Sequence, residues 1–251
     1  MPSDSEIAVV LVYPDILGTY GDRGNALALV HRARARGLAA RVVEVDTGQV
    51  VPETAEVYLL GGGEDSAQHL ALGPLKRDRN LARALGDGST VLAVCAGFQL
   101  LAHEFTGTEG QVEQGLGALD VRCGRLQERA VGEVVTEPVG VAGVPTLTGF
   151  ENHRGDAVLG PEARPLGRLV RGVGNGDERT EGAVQGRVVA TYLHGPVLVR
   201  NPALTDHLLE QSTGPLAPYD DELAEQLRQE RLHQARLPHV RPRRGRGPGP
   251  G

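Results

Sequence analysis

The chain has 251 residues, 40 % of them apolar, with two cysteines and a net charge of −6. That apolar content suits a buried core, and no apolar run reaches the roughly 20 residues of a membrane helix. The start MPSDSEIAVV lacks the basic and long apolar regions of a signal peptide, so a cytoplasmic protein without a transmembrane segment is expected.

Residues 7–13, IAVVLVY, form a β-branched apolar run ended by Pro14 and read as a strand buried on both faces, hence part of a parallel sheet. The loop DILGTYGDRGN gives way to ALALVHRARARG, apolar at helical spacing and closed by Gly37; ARVVEVD (40–46) then returns as a strand, completing a βαβ unit. EVYLLGGG (56–63) reads as another buried strand running into three glycines, 64–86 as mostly helical, and TVLAV (90–94) as the strand that delivers Cys95. FQLLAHEF (98–105) is expected to be a helix. Between 111 and 195 the texture turns to short β-rich pieces punctuated by glycine, among them GRVVATYLHG (186–195). ALTDHLLEQ (203–211) and DELAEQLRQERLHQ (221–234) read as helices, the second with acids leading and bases trailing, as the helix dipole favours. The expectation is one α/β domain over residues 1–240, a mostly parallel central sheet flanked by helices. Residues 241–251, RPRRGRGPGPG, read as a disordered tail with four arginines and no acid. Residues 1–240 hold 22 basic against 32 acidic groups, about −10. Tryptophan is absent and aromatics are 3 %, which leaves little to stack on bases and argues against nucleic-acid binding.

Chemistry concentrates at Cys95. A nucleophile on a sharp strand-to-helix turn needs small residues two positions either side, and Ala93-Val94-Cys95-Ala96-Gly97 has them. A following helix would aim its free N–H groups and positive end at the sulfur and lower the thiol pKa, with the Ala96 N–H facing an oxyanion. Cys123 reads as structural. Two cysteines exclude a disulfide scaffold, and no His/Cys cluster has zinc spacing, so no metal is expected. A thiol that performs acyl transfer needs a base. His31, His69, His103, His207 and His233 lie in helical patterns and His239 in the tail. His194 ends a strand at the edge where open α/β sheets gather their sites, and is favoured over His153, the other contender. Glycines 61–63 offer either close backbone approach and a second oxyanion donor, or a tight turn.

GGGEDSAQ (61–68), VCAGFQLL (94–101) and YLHGPVLVRNP (192–202), in this order, resemble the class I glutamine amidotransferases of the cobyric acid synthase type. YPDILGTYGDRGN (13–25), RAVGEVV (129–135) and GFENHRG (149–155) narrow the likeness to the glutaminase subunits of lipid II isoglutaminyl synthases, over roughly residues 5–215. The resemblance implies that Cys95 attacks the side-chain amide of L-glutamine with His194 as base. It further implies that Ala96 and Gly62 supply the oxyanion hole and that Arg129 holds the substrate's α-carboxylate. The usual acid two positions after the histidine is replaced by Pro196, and the resemblance implies a carboxylate from a Mur-ligase-like partner in a heterodimer. That partner uses ATP and Mg to amidate the D-glutamate of lipid II, so this chain needs no cofactor of its own. Ammonia supply to another synthase, such as one acting on corrin side chains, and a non-catalytic scaffold are the alternatives; no G-x-x-x-x-G-K-[ST] segment occurs here.

Overall fold

The computed structural model describes residues 6–107, 109–177 and 179–236. In chain order these give β1 (Ile7–Val12), α1 (Arg23–Ala35), β2 (Ala40–Val45), β3 (Val57–Leu60), α2 (Asp65–Asp78), α3 (Asn80–Gly86), β4 (Thr90–Val94) and α4 (Ala96–Leu101). Ten strands follow: β5 (Glu104–Thr106), β6 (Val112–Gln114), β7 (Val121–Cys123), β8 (Arg125–Pro138), β9 (Leu147–Gly155), β10 (Val158–Leu159), β11 (Gly167–Arg171), β12 (Thr180–Glu181), β13 (Ala183–Gln185) and β14 (Val188–Thr191). The chain closes with α5 (Val197–Arg200), α6 (Pro202–Thr213) and α7 (Glu222–Arg236).

The central sheet runs β13-β14-β4-β3-β1-β2 and is parallel except for the β13–β14 hairpin at one edge. Strands β3, β4 and β14 are buried at every position, as helices on both faces require. This is the expected α/β body. Helix α1 lays Ala26, Leu29, Val30 and Ala33 against the core; its Arg32 forms paired hydrogen bonds to Asp206 and Asp221 and so ties down α6 and the approach to α7. Two four-stranded sheets, β10-β7-β5-β6 and β12-β11-β8-β9, fill the glycine-punctuated middle of the chain.

One local expectation needs correction. The helix foreseen over 98–105 ends at Leu101, because Glu104–Thr106 pairs with β6 and β7 and buries Phe105 between them; His103 therefore lies outside any helix. The stretch 64–86 is mostly helical, as expected, with a break at Arg79, which takes a left-handed φ of 61°. Asp78 drives the break: its carboxylate accepts the N–H groups of Asn80 and Val51 and pulls the chain off the helical path. No helix of the described residues is long and apolar enough to cross a membrane. The arginine-rich tail and His239 lie outside the described residues.

Candidate active site

The register of the parallel sheet sets the site. Leu60 pairs with Ala93 and Thr191 with Val94, so β3, β4 and β14 end side by side and release their next residues at one edge. Cys95 leaves β4 at φ 50°, ψ −101°, a backbone conformation that costs a non-glycine residue about 1–3 kcal/mol. Three hydrogen bonds hold it there: Cys95 N–H donates to the Thr191 carbonyl (2.8 Å), Gln99 N–H to the Cys95 carbonyl (3.1 Å) and Gly97 N–H to the Gly61 carbonyl (3.1 Å). Both flanking small residues are required. Ala93 is fully buried, and a Cβ on Gly97 would lie 2.6 Å from the Leu60 Cβ.

Cys95 opens onto a cavity of about 380 Å³ whose wall includes Tyr20, Gly63, Glu64, Arg129, Asn152 and His153. Arg129 arrives there because β8 and β9 form a hairpin with Ala130 opposite His153; its Nε donates to Asn152 Oδ1 (2.6 Å) and its Nη2 to the Tyr20 hydroxyl (3.1 Å). The Tyr20 hydroxyl donates in turn to Glu64 (3.2 Å). A guanidinium and a carboxylate thus face one small cavity across a shared tyrosine. The cavity wall therefore carries groups of both charges close together.

His194 sits at the same sheet edge, three residues beyond Thr191, and a backbone bridge to Phe150 anchors it. Its ring packs beside Tyr20 at 4.6 Å between centroids and lies over Gly62, where a Cβ would come within 2.8 Å of its Cε1. Among the described residues neither ring nitrogen has a hydrogen-bond partner, so the thiol–imidazole bond is not made in this structure. Burial, with His153 nearby, lowers the His194 pKa to about 4, which keeps the ring neutral and makes it a weaker base than a solvated imidazole. His153 lines the cavity beside Cys95. Its Nδ1–H donates to the Gly155 carbonyl (2.8 Å), and its ring stacks on Tyr192 at 4.0 Å.

Two expectations change. The thiol pKa is raised to about 12 rather than lowered, because burial and then the Asp22 charge outweigh the Ala96 N–H and Arg129, which act the other way. A six-residue helix supplies too little dipole to offset desolvation. Ala96 does point its N–H at the sulfur. Gly62, the expected second oxyanion donor, has its N–H committed to the Asp22 carboxylate (2.6 Å), and the adjoining Gly63 borders the cavity instead. Asp22, Tyr20 and Glu64 were not singled out from the sequence. Their signal was positional, since the 13–25 loop follows β1 and the 61–65 segment follows β3 at the edge that collects active sites.

Residues 8–202 match the CobB/CobQ-like glutamine amidotransferase domain. The chain belongs to that family. Among CobB/CobQ-like relatives, "Lipid II isoglutaminyl synthase (glutamine-hydrolyzing) subunit GatD" of Staphylococcus aureus (strain N315) is 34 % identical over 210 residues, covering 82 % of this chain and 84 % of that protein. The Streptococcus pneumoniae (strain ATCC BAA-255 / R6) protein of the same name is 30 % identical over 236 residues, 90 % of each chain. A glutamine amidotransferase structure from Thermotoga maritima superposes with a TM-score of 0.54 at 17 % identity, over 92 % of this chain and 91 % of that one, a likeness of fold. As a CobB/CobQ-like glutamine amidotransferase the chain is an enzyme.

Proposed function

We propose that this chain is the glutaminase subunit of a lipid II isoglutaminyl synthase. It hydrolyses L-glutamine to glutamate and ammonia. The ammonia passes to a Mur-ligase-like partner, which uses ATP and Mg to convert the D-glutamate of lipid II to D-isoglutamine during peptidoglycan synthesis. The coverage of both named relatives at 30 % identity or more supports the pathway. The observation that carries the chemistry is Cys95 on its strained turn, opening onto the cavity where Arg129 and Glu64 stand. Such a heterodimer works in the cytoplasm, at the inner face of the membrane where its lipid substrate is built.

In this reading the Arg129 guanidinium binds the glutamine α-carboxylate and Glu64 the α-ammonium, which directs the side-chain amide toward Cys95. His194 takes the thiol proton as sulfur attacks the amide carbon, and the Ala96 N–H stabilises the oxyanion. The imidazolium returns that proton to the leaving nitrogen, so ammonia departs and a glutamyl thioester remains for water to hydrolyse. His153 is the second candidate base because it lines the cavity.

Ammonia release by the chain with its partner, measured for Cys95→Ala, His194→Ala and His153→Ala, tests these assignments. Cys95→Ala is expected to abolish release, and His194→Ala to lower kcat by at least about 10²-fold, the scale of a lost general base. A large loss with His153→Ala alone transfers the base role to His153. Ammonia release from Cys95→Ala at the wild-type rate refutes the Cys95 mechanism, and no release from the wild type leaves the scaffold reading.

A further inference from the structure

We infer that Arg154 is a positioning residue for glutamine: it clamps the backbone of the short segment that carries Arg129 into the Cys95 cavity, and through that segment sets the affinity for the substrate's α-carboxylate. The inference rests on the glutaminase reading and deepens it. It starts from the register of the β8–β9 hairpin, in which Arg125 stands opposite Gly155 and Ala130 opposite His153. Between those pairs β8 has Leu126, Gln127, Glu128 and Arg129, whereas β9 has Arg154 alone. The surplus residues cannot stay in the ladder and bulge out of it, which carries Arg129 across to Tyr20.

A bulge of that length, with Gln127, Glu128 and Arg129 exposed, keeps one shape only if groups outside the ladder hold it against its conformational entropy. Arg154 does so. Its Nη2 donates to the Gln127 carbonyl (2.7 Å) and its Nε to the Leu126 carbonyl (3.4 Å), consecutive acceptors spanned by one planar fork. Arg125 pins the start of the bulge, donating from Nη1 to Asp65 and to the Gly107 carbonyl (3.2 Å each). Leu126 rests on the bare backbone of Gly176, where a Cβ would lie 2.8 Å from its Cδ2. Side chains alternate between the faces of a strand, so Asn152 and Arg154 share one face of β9, and the buried Glu151 and His153 the other. The first face grips the bulge twice: Asn152 Oδ1 accepts the Arg129 Nε–H (2.6 Å) and fixes the side chain, while Arg154 fixes the backbone.

A guanidinium that its ligand must first immobilise binds more weakly, because ordering it opposes association; one held in place beforehand does not carry that cost. With Nε committed to Asn152 and Nη2 to the Tyr20 hydroxyl, Arg129 meets a carboxylate through its remaining N–H groups, and their direction follows the bulge. Arg154 also borders the cavity, but its Nε and Nη2 are turned to the bulge carbonyls, so its action passes through Arg129.

The test is a double-mutant cycle on ammonia release by the full chain with its partner: wild type, Arg154→Ala, Arg129→Ala and the pair, with Arg154→Lys as the conservative variant. Arg154→Ala is expected to raise KM for glutamine about 5- to 20-fold with kcat within about threefold. In the Arg129→Ala background the same change is expected to move KM by less than about twofold, because the group it positions is gone. Arg154→Lys, whose single ammonium cannot span both carbonyls, recovers part of the affinity. The thermal midpoint of Arg154→Ala is expected within about 2 °C of wild type, as for an exposed side chain. A merely structural role would instead lower the midpoint and kcat together, and would persist when Arg129 is removed. KM within about twofold of wild type in Arg154→Ala, a fall in kcat alone, or equal KM effects in the two backgrounds overturns the inference; the last outcome makes Arg154 an independent contact of the substrate. If the glutaminase reading itself fails, wild type and Cys95→Ala release equally little ammonia and the inference falls with it, an outcome separate from an active wild type matched by Arg154→Ala.

Discussion

Adding one methyl group at Gly97 probes whether the turn at Cys95 is held by close packing. An alanine Cβ there would lie 2.6 Å from the Leu60 Cβ and 2.7 Å from the Leu60 carbonyl oxygen, where carbon atoms normally approach to about 3.5–4.0 Å. Something must move by about 1 Å. Strand β3 cannot yield, because Leu60 is paired on one side with Val12 and on the other with Ala93. The start of α4 must shift instead, stretching the Gly97 N–H to Gly61 bond and swinging Cys95. Overpacking of this kind costs about 1–3 kcal/mol, and the better helix propensity of alanine returns up to about 1 kcal/mol. A net loss of about 1–2 kcal/mol corresponds to a drop of about 2–8 °C in Tm for a chain of this size. Displacing the nucleophile by about 1 Å is expected to lower kcat/KM by about 10²-fold. Thermal unfolding and ammonia release read the two effects, with Gly86→Ala as control, since nothing lies within 4 Å of a Cβ there. A Gly97→Ala enzyme with Tm and kcat/KM indistinguishable from wild type would refute the packing argument.

Arg129→Ala is expected to raise KM for glutamine by about 10- to 100-fold with kcat within about threefold, as loss of uniform binding requires; Arg129→Lys, without the planar fork, recovers only part of it. Burial raises Glu181 from 4.5 to about 7, in spite of its bonds to the Thr191 hydroxyl (2.7 Å) and the Tyr192 N–H (2.8 Å). The folded state then holds a proton that the unfolded chain releases, so stability falls as pH rises from about 4.5 to 7 and levels off above, a contribution of about 3 kcal/mol. Asp22 adds a slope of the same sign between 3.8 and about 6. Denaturant titrations at several pH values are expected to show Glu181→Gln flattening the upper part of that slope, and an unchanged slope refutes the assignment.

What the sequence disclosed follows the range of the forces involved. The turn at Cys95 was legible because Ala93, Cys95 and Gly97 encode it within five residues, and the buried parallel strands because β1 and β3 are apolar at every position and β4 at all but its first. His194 could be placed at the sheet edge from the strand that precedes it. Arg129 came only from family resemblance: its place in the cavity depends on the β8–β9 register and on the irregularity between Arg125 and Ala130, which no local pattern carries. The thiol pKa was read with the wrong sign for the same reason. The dipole of α4 is visible in the sequence, whereas the desolvation that outweighs it is assembled from several elements around a sulfur that is 7 % exposed. Asp22 is another case of this kind. A carboxylate in a glycine-rich loop reads as solvated until Gly62 and the turn after His194 close over it.

That enclosure also sets the protonation of the groups around Cys95. The thiol holds its proton because the sulfur is buried, the imidazole stays neutral because it is buried, and the Gly62 amide faces Asp22 because that carboxylate, cut off from water, needs a donor. These conditions have one cause and are linked through one side chain. The Tyr20 hydroxyl joins Arg129 to Glu64 while the Tyr20 ring packs on His194, so the charged wall of the cavity and the imidazole share one side chain.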